Sequence, residues 1–269
     1  MSAHILMHGS AIDQRSIWLL AGTGDGPRLA QVLQQHGWRV HVSVVTPAAA
    51  KAYQSISLAG LAIGSLGDPS GITAVLEQQG PFRWVIDATH PFAVRVSADL
   101  ATVCRSRGQS LLRFERPEEP LGQAVLLTDA SCLQHEALDG VKLLLAIGGR
   151  RLAEFVALAE AQGAAAYARC LPSPEGLRAA LATGLPPDHL AVLRPLQGNV
   201  PGSIERALCR TWGITAVLCR QSGGVSERLW HQITTELGLK LWLMRRPSPP
   251  AEVECVRDDA SLIDRIRLG

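Results

Sequence analysis

Short apolar runs alternate with segments of helical period along almost the whole chain, and this alternation restricts the fold more than any other feature. Uninterrupted apolar strands between helices are typical of a parallel sheet covered by helices on both faces. The strands predicted in the first half are Ile17–Ala21, Arg39–Val45, Leu58–Gly64, Trp84–Ala88 and Ser110–Phe114, and the helices are Pro27–His36, Ile72–Gln79 and Pro91–Arg107. The first half therefore predicts a doubly wound α/β domain.

The alternation stops at Glu115–Gly122, where prolines and charges cluster as in a linker, and then resumes. The later predicted strands are Val125–Leu127, Lys142–Ile147, Ala164–Ala168, Leu190–Leu193, Ala216–Cys219 and Lys240–Met244, with helices at Arg151–Gln162, Ser203–Trp212, Ser226–Leu237 and Asp258–Arg267. We expect an α/β protein of two Rossmann-like, doubly wound parallel-sheet domains with an interdomain cleft. Residues 1–114 form the dinucleotide-binding domain and 115–269 the domain that contributes to the cleft, while residues 1–16 are a short extension.

Composition excludes several classes of protein. The formal net charge of +2 is too balanced for nucleic-acid or membrane-surface binding. The six cysteines are scattered without metal-ligand spacing, which indicates a reducing compartment and no metal site. Neither a membrane span nor a signal peptide is visible, so we expect a cytoplasmic protein with no obligate protein partner. Of 26 basic residues only three are lysines, which fits either a GC-rich genome or an anionic ligand that arginine grips bidentately.

The strongest local motif is the glycine turn that follows the first predicted strand, A-G-T-G-D-G-P at residues 21–27. Glycines there let the backbone approach a phosphate, and the N-terminus of the next helix attracts it. Pro27 stands where the third glycine of the dinucleotide fingerprint is usual, so a purely structural turn is the alternative. The turn residues expected to bind a cofactor are Gly22, Thr23, Gly24, Asp25 and Gly26.

The end of the second predicted strand bears on the choice of cofactor. NAD sites usually place an acidic residue there for the adenosine ribose, but V-V-T-P-A-A-A-K at residues 44–51 contains none. Thr46 and Lys51 can instead contact a 2′-phosphate, which favours NADPH. The alternative is that Lys51 is an ordinary surface lysine.

The motif I-D-A-T-H-P-F at residues 86–92 places polar groups after a central strand, where open α/β sheets bind ligands. Asp87 and His90 are the candidate catalytic residues, since either can orient a nicotinamide or donate a proton. Ala88 and Thr89 are candidates for contact with the cofactor. The alternative is a helix cap, with Thr89 or His90 preceding a helix that begins at Pro91.

Two later turns combine flexible backbone with arginine, at Gly148–Arg151 and at Arg220–Gly224. Each follows an apolar strand and is either an anion-binding turn or a simple chain reversal. The chain lacks the Tyr/Lys pair of short-chain dehydrogenases, a G-x-S-x-G elbow, a P-loop and H-E-x-x-H. Few acid–base groups remain, which suits hydride transfer from a cofactor. A methyltransferase that uses S-adenosylmethionine and a non-catalytic NADP-binding regulator are the competing classes.

Taken in order, these motifs resemble those of the precorrin-6A reductase family. The resemblance runs from Ile17 to Pro247 and rests on the first glycine turn, I-D-A-T-H-P-F-A, L-L-R-F-E-R-P at 111–117, G-G-R at 148–150 and Q-S-G-G at 221–224. It implies NADPH-dependent reduction of one double bond in a tetrapyrrole rich in carboxylates, giving precorrin-6B in cobalamin biosynthesis. The residues that it suggests for substrate binding are Arg113, Arg150, Arg220, Ser222, Gly223 and Gly224. The sequence departs from the family pattern at A-G-T-G-D-G and at Arg220-Gln221, where lysine-asparagine is expected.

Overall fold

The computed structural model describes residues 15–22, 24–194 and 200–268, which form two compact units. The first unit contains the chain up to Pro117 and again from Pro247 onward, and the second contains Glu118–Arg246. The predicted extension falls almost entirely outside the described residues, since only Arg15 and Ser16 of it are described.

The first unit is a six-stranded parallel sheet with helices between its strands. Its strands are β1 (Ser16–Ala21), β2 (Arg39–Val44), β3 (Gly60–Ile63), β4 (Trp84–Ala88) and β5 (Leu111–Phe114), and its helices are α1 (Gly26–Gln35), α2 (Pro47–Ala50), α3 (Pro69–Gln79) and α4 (Val94–Ser106). The order across the sheet is β3-β2-β1-β4-β5, followed at the edge by a strand from the C-terminal segment.

The second unit repeats this architecture. Its strands are β6 (Val125–Leu127), β7 (Lys142–Ala146), β8 (Ala165–Cys170), β9 (Leu190–Val192), β10 (Ala216–Arg220) and β11 (Lys240–Met244), and its helices are α5 (Leu152–Glu160), α6 (Pro174–Leu181), α7 (Ser203–Trp212) and α8 (Val225–Leu237). The order is β9-β8-β7-β10-β11-β6, again all parallel. The prediction of two Rossmann-like parallel sheets is confirmed.

The central strand β1 shows why continuous apolar runs predict a sheet covered on both faces. Successive side chains of a strand point to opposite faces. Ile17 and Leu19 pack in one core cluster, and Trp18 and Leu20 pack in the other. All four are at most 2 % exposed. Each fully buried apolar side chain contributes about 1.5–3 kcal/mol, so both faces of the sheet stabilise the unit.

The C-terminal segment differs from the predicted division at residue 114/115. β12 (Glu254–Val256) pairs with β5 as the sixth strand of the first sheet, and α9 (Asp259–Leu268) packs in the same unit. Leu262, Ile263 and Ile266 are buried in the core that contains Ile17 and Leu19. The chain thus returns to its first unit, where β12 pairs along the edge of β5 and α9 buries its apolar side chains.

Smaller differences concern element boundaries. The helix expected from Pro91 begins at Val94, with Ala93 as its N-cap, and residues 89–93 form a loop. Helix α6, which begins after Ser173 at Pro174, has no counterpart among the predicted helices, although its N-cap Ser173 accepts a hydrogen bond from the backbone N–H of Gly176.

Candidate functional site

In each unit, two motifs from the sequence lie at the point where the strand order reverses. β1 pairs with both β2 and β4, so the turn after β1 and the loop after β4 are neighbours at the carboxyl edge of the first sheet. β7 pairs with both β8 and β10 and brings together the turns that begin at Gly148 and at Arg220. Open α/β sheets bind ligands at this position. We therefore take these two edges as candidate sites and describe each separately.

The side chain of Tyr53 packs against the glycine turn that follows β1. The Tyr53 hydroxyl donates a hydrogen bond to the carbonyl oxygen of Gly22 at 2.7 Å, and the side chain is buried. Burial, together with the charge of Asp25, raises the pKa of Tyr53, so the hydroxyl stays protonated. A Cβ on Gly26 would overlap this hydroxyl and lie 2.7 Å from the Ala21 Cβ, so Gly26 is required by packing.

Gly22 differs from Gly26, because its backbone borders open space. An added Cβ there would meet no described atom within 4 Å, and the residue is exposed. Such space is what the approach of a phosphate to the backbone requires. Thr23, also predicted to bind the cofactor, lies outside the described residues.

Two arginines that the sequence analysis did not assign converge on the same turn. Asp25 forms ion pairs with Arg116 and, at 3.3 Å, with Arg28, which also binds Asp259. Asp25 is the N-cap of α1, yet its side chain makes no capping hydrogen bond. The motif at 111–117 contains Arg116, but only folding shows that this residue reaches the turn.

Asp87 belongs to a buried ionic network. In the pairing of β4 with β5 it lies directly beside Arg113, and the guanidinium Nη1 donates to its carboxylate at 2.7 Å. Arg113 Nε donates to Glu115 at 2.7 Å, and Nη1 also contacts the Ser97 hydroxyl of α4 at 3.0 Å. Burial lowers the pKa of Arg113, but the Asp87 and Glu115 carboxylates outweigh this and raise it. Arg113, expected to bind substrate, is 2 % exposed and is instead held inside the unit.

The same network orders the loop after β4. The Asp87 carboxylate accepts hydrogen bonds from the backbone N–H of Thr89 at 3.0 Å and from its hydroxyl at 2.7 Å. Farther along, the exposed His90 accepts a hydrogen bond at Nδ1 from the backbone N–H of Phe92 at 3.2 Å. A neutral imidazole that accepts at Nδ1 carries its proton on Nε2. His90 therefore offers a donor, whereas Asp87 is engaged with Arg113.

Thr46 and Lys51 follow β2, as the sequence predicts, but with different surroundings. Thr46 is the N-cap of α2 and accepts from the backbone N–H of Ala49 at 3.1 Å. Its hydroxyl hydrogen remains available for donation. Lys51 is exposed at the start of a 3-10 helix, Lys51–Tyr53.

At the edge of the second sheet, the two predicted arginine turns meet. Gly148 has a positive φ of 77°, and a Cβ on it would lie 3.1 Å from Nη2 of Arg220. Burial and the positive charge of Arg150 lower the pKa of Arg220. A guanidinium whose charge is disfavoured by burial and by a nearby positive charge favours a bound anion. Arg150 and Arg220 thus form the positive pair of this edge.

The Gln221–Gly224 turn is held from within its unit. The Glu227 carboxylate accepts from the backbone N–H groups of Ser222 at 2.5 Å and Gly223 at 2.6 Å. Ser222 and Gly223 were expected to bind substrate, but their backbone N–H groups are already engaged by a buried carboxylate of α8. Glu227 appears in no motif, because its role depends on the first turn of α8 folding back over the preceding turn.

In the described ranges, no group of three or more His, Cys, Asp or Glu residues is arranged to hold a metal ion. Within the same part of the chain, no helix has the length and apolar character needed to cross a bilayer. A cavity of about 290 Å³ is lined by Gly238, Lys240 and neighbouring residues. Since β11 begins at Lys240, that cavity lies at the opposite edge from the candidate sites.

Comparisons with known proteins point to one family. A family model described as Precorrin-6x reductase CbiJ/CobK matches residues 16–267. A cobalt-precorrin-6A reductase of Synechocystis sp. is 31% identical over 93% of this chain and 95% of its own length. A precorrin-6A reductase of Mycobacterium tuberculosis is 30% identical over 89% of this chain and 92% of its own. A solved structure titled CobK precorrin-6A reductase superposes with a TM-score of 0.72 at 26% identity, covering 94% of this chain and 96% of that one.

Proposed function

The chain belongs to the precorrin-6x reductase family, and we propose that it uses NADPH to reduce one double bond of precorrin-6A or cobalt-precorrin-6A, giving the dihydro product precorrin-6B or its cobalt form. Membership makes the protein a reductase of cobalamin biosynthesis. The choice of NADPH, the product and the residue roles below are our proposals. We also propose that the enzyme works in the cytoplasm, in keeping with its six free thiols.

One observation carries the assignment of the cofactor site. The glycine turn and the D-A-T-H-P loop are adjacent where the strand order reverses, with Ala21 and Ala88 paired in register at the ends of β1 and β4. In this arrangement Gly22, Gly24 and the start of α1 hold the pyrophosphate, while Ala88 and Thr89 lie toward the nicotinamide. The open space at Gly22 fits this role.

We assign the adenosine 2′-phosphate to Thr46 and Lys51. Thr46 retains a hydroxyl hydrogen to donate, and Lys51 is exposed and positively charged. No acidic residue stands between them to repel the phosphate. This predicts a preference for NADPH over NADH, not an absolute requirement.

When bound, NADPH supplies a hydride to one carbon of the conjugated macrocycle, and a proton must join the same conjugated system to complete the reduction. We assign the proton to the imidazolium form of His90, because the neutral ring that accepts from Phe92 at Nδ1 has only an Nε2 hydrogen bond to offer and cannot give up that proton near neutral pH. Asp87 acts as a positioning residue, because its hydrogen bonds to Thr89 and its ion pair with Arg113 fix the loop that carries His90.

For the substrate, we assign the carboxylate arms to Arg150 and Arg220. Burial and the nearby charge of Arg150 both disfavour the positive charge of Arg220, and a bound carboxylate would offset both effects. Arg113 is assigned a positioning role instead, since its donors face Asp87 and Glu115. Ser222 and Gly223 contribute the shape of the turn, because their amides are bound by Glu227.

The proposal is tested by incubating the purified protein and NADPH with enzymatically prepared precorrin-6A and, separately, with cobalt-precorrin-6A. The measurements are the loss of NADPH absorbance and a mass gain of two hydrogens in the tetrapyrrole. A parallel fluorescence titration uses NADPH, NADH and S-adenosylmethionine. Tight binding of S-adenosylmethionine without NADPH binding would support the methyltransferase alternative. NADPH binding without turnover of either tetrapyrrole would support the regulator.

The role of His90 is tested by His90→Ala and His90→Gln. We expect a lower turnover number in both variants, and loss of the basic limb of the pH profile of kcat. His90→Gln restores a hydrogen-bond donor but no transferable proton, so it should preserve cofactor binding without recovering the turnover number or the pH dependence. Normal turnover and an unchanged profile in both variants would show that His90 only shapes the loop.

A further inference from the structure

Arg116 lies directly over the backbone where we place the cofactor pyrophosphate. A Cβ added to Gly24 would be 2.6 Å from Nη2 of Arg116 and 3.6 Å from its Cζ. The guanidinium therefore fills the space above Gly24, whereas the space above Gly22 is open. The Arg116 side chain is 19% exposed, and its Nε donates a hydrogen bond to the Asp25 carboxylate.

Asp25 is the acidic partner that holds Arg116 in this place. It is the residue before α1, where an aspartate usually caps the first amides of the helix, but it makes no side-chain cap. Its carboxylate instead faces Arg116 on one side and Arg28 on the other. A negative group thus occupies the position between two guanidiniums and a helix N-terminus, which is the environment that phosphate oxygens prefer.

We propose that Arg116 is a cofactor-binding residue, and that a pyrophosphate oxygen of NADPH replaces the Asp25 carboxylate as its partner on binding. This inference rests on the proposed cofactor site and adds to it a specific cation and an internal competitor. Arg28 stays bound to Asp259 and so keeps an acidic partner when Asp25 is displaced. The exchange moves no covalent bond and changes only the partner of one guanidinium.

Two features point to a pyrophosphate rather than to a carboxylate arm of the tetrapyrrole. Arg116 covers the glycine turn itself, where only a ligand that approaches the backbone closely can lie. It also sits at the N-terminus of α1, a helix of 10 residues whose dipole adds to the attraction for phosphate. The pyrophosphate is common to NADPH and NADH, so loss of the Arg116 contact should weaken the binding of both cofactors equally.

The experiment measures dissociation constants for NADPH and NADH with the full-length protein, without tetrapyrrole. Arg116→Ala should weaken both cofactors by the same factor, on the order of tenfold to a hundredfold, because the lost contact is a charge-assisted hydrogen bond to a shared group. Arg116→Lys should recover only part of the affinity, since lysine keeps the charge without the planar fork. Arg107→Ala is the matched control, because it removes an arginine from an ion pair with Glu77 in the same unit.

The direction in which Asp25→Asn changes the affinity for NADPH distinguishes this inference from a purely structural role of the ion pair. Removing the competing charge should tighten NADPH binding several-fold, and this gain should vanish in the double variant with Arg116→Ala. A merely structural ion pair predicts weaker or unchanged binding in Asp25→Asn. Wild-type affinity in a folded Arg116→Ala variant, with binding still lost in Gly22→Ala, would overturn the inference while leaving the cofactor site intact. No NADPH binding by the wild type would instead overturn the proposed function.

Discussion

The buried network around Arg113 should make a large and specific contribution to the stability of the first unit. Its guanidinium donates to Asp87 and Glu115 at 2.7 Å each and to Ser97 and Thr89 at 3.0 Å each. Arg113→Met removes all four contacts and takes this guanidinium away from the buried Asp87 and Glu115 carboxylates. Breaking such a pair costs about 3–5 kcal/mol, which corresponds to a fall in Tm of roughly 6–20 °C.

The matched control for this variant is Arg107→Met. Arg107 also contacts one carboxylate closely, at 2.6 Å, but the side chains of Arg107 and Glu77 are 39% and 58% exposed. Exposed pairs contribute roughly 0–1 kcal/mol, so Arg107→Met should melt close to the wild type. Both variants are compared by thermal and urea unfolding followed by circular dichroism.

A double variant distinguishes the destabilisation caused by an uncompensated buried charge from that caused by lost packing. Asp87→Asn combined with Arg113→Met neutralises one of the abandoned carboxylates and should be more stable than Arg113→Met alone. If Arg113→Met unfolds like Arg107→Met, or the double variant gains nothing, the argument from buried charge is wrong. The loop order depends on the same network, so NADPH turnover by folded Asp87→Asn should also fall.

Three further predictions concern cofactor binding and acid stability. Gly22→Ala should keep the wild-type Tm, because its Cβ enters open space, and should weaken NADPH binding about tenfold or more. Gly26→Ala should instead lower the Tm, because its Cβ overlaps Tyr53. Unchanged NADPH affinity in Gly22→Ala would show that the turn is not part of the cofactor site. Lys51→Ala should reduce the ratio of kcat/KM for NADPH over NADH by roughly fivefold, since an exposed phosphate contact of about 1 kcal/mol is lost. Equal efficiency with both cofactors in the wild type would contradict the assignment. The pKa of Asp258 lies below its usual range because its carboxylate accepts hydrogen bonds from the backbone N–H and hydroxyl of Ser261. A carboxylate whose pKa is lower in the folded than in the unfolded protein stabilises the fold at neutral pH, and this stability is lost as the pH falls through the folded-state pKa. Asp258→Asn should therefore lose less stability than the wild type between pH 7 and pH 3 in urea unfolding. An equal loss in both proteins would refute this.

Much of the fold follows from local patterns. The apolar run Ile17–Ala21 predicts β1 because a strand covered on both faces must be apolar at every position, and its residues do divide between two core clusters. Lys240–Met244 coincides with β11, which is buried from Leu241 onward for the same reason. Val125–Leu127 coincides with β6, an apolar edge strand in which only Leu127 is fully buried. The glycine turn, the D-A-T-H-P loop and the two arginine turns were also visible in the sequence. Each follows a strand, and the rule that parallel sheets bind ligands at their carboxyl ends applies to each one locally.

What the sequence could not determine depends on contacts between distant residues. β12 has only three residues and begins with the charged Glu254, so it has no apolar run of the kind that predicts β6, and it is a strand because it pairs with the edge of β5. Asp87 is read from the sequence as a catalytic candidate, but the register of β4 and β5 places Arg113 beside it and makes the pair a buried network. Arg116 reaches Gly24 across more than ninety residues of chain, and Glu227 occupies the amides of its own preceding turn. Side-chain charge is a local property that the sequence determines, but the partner of each charge is set by which strand edges and helix ends the tertiary structure brings together.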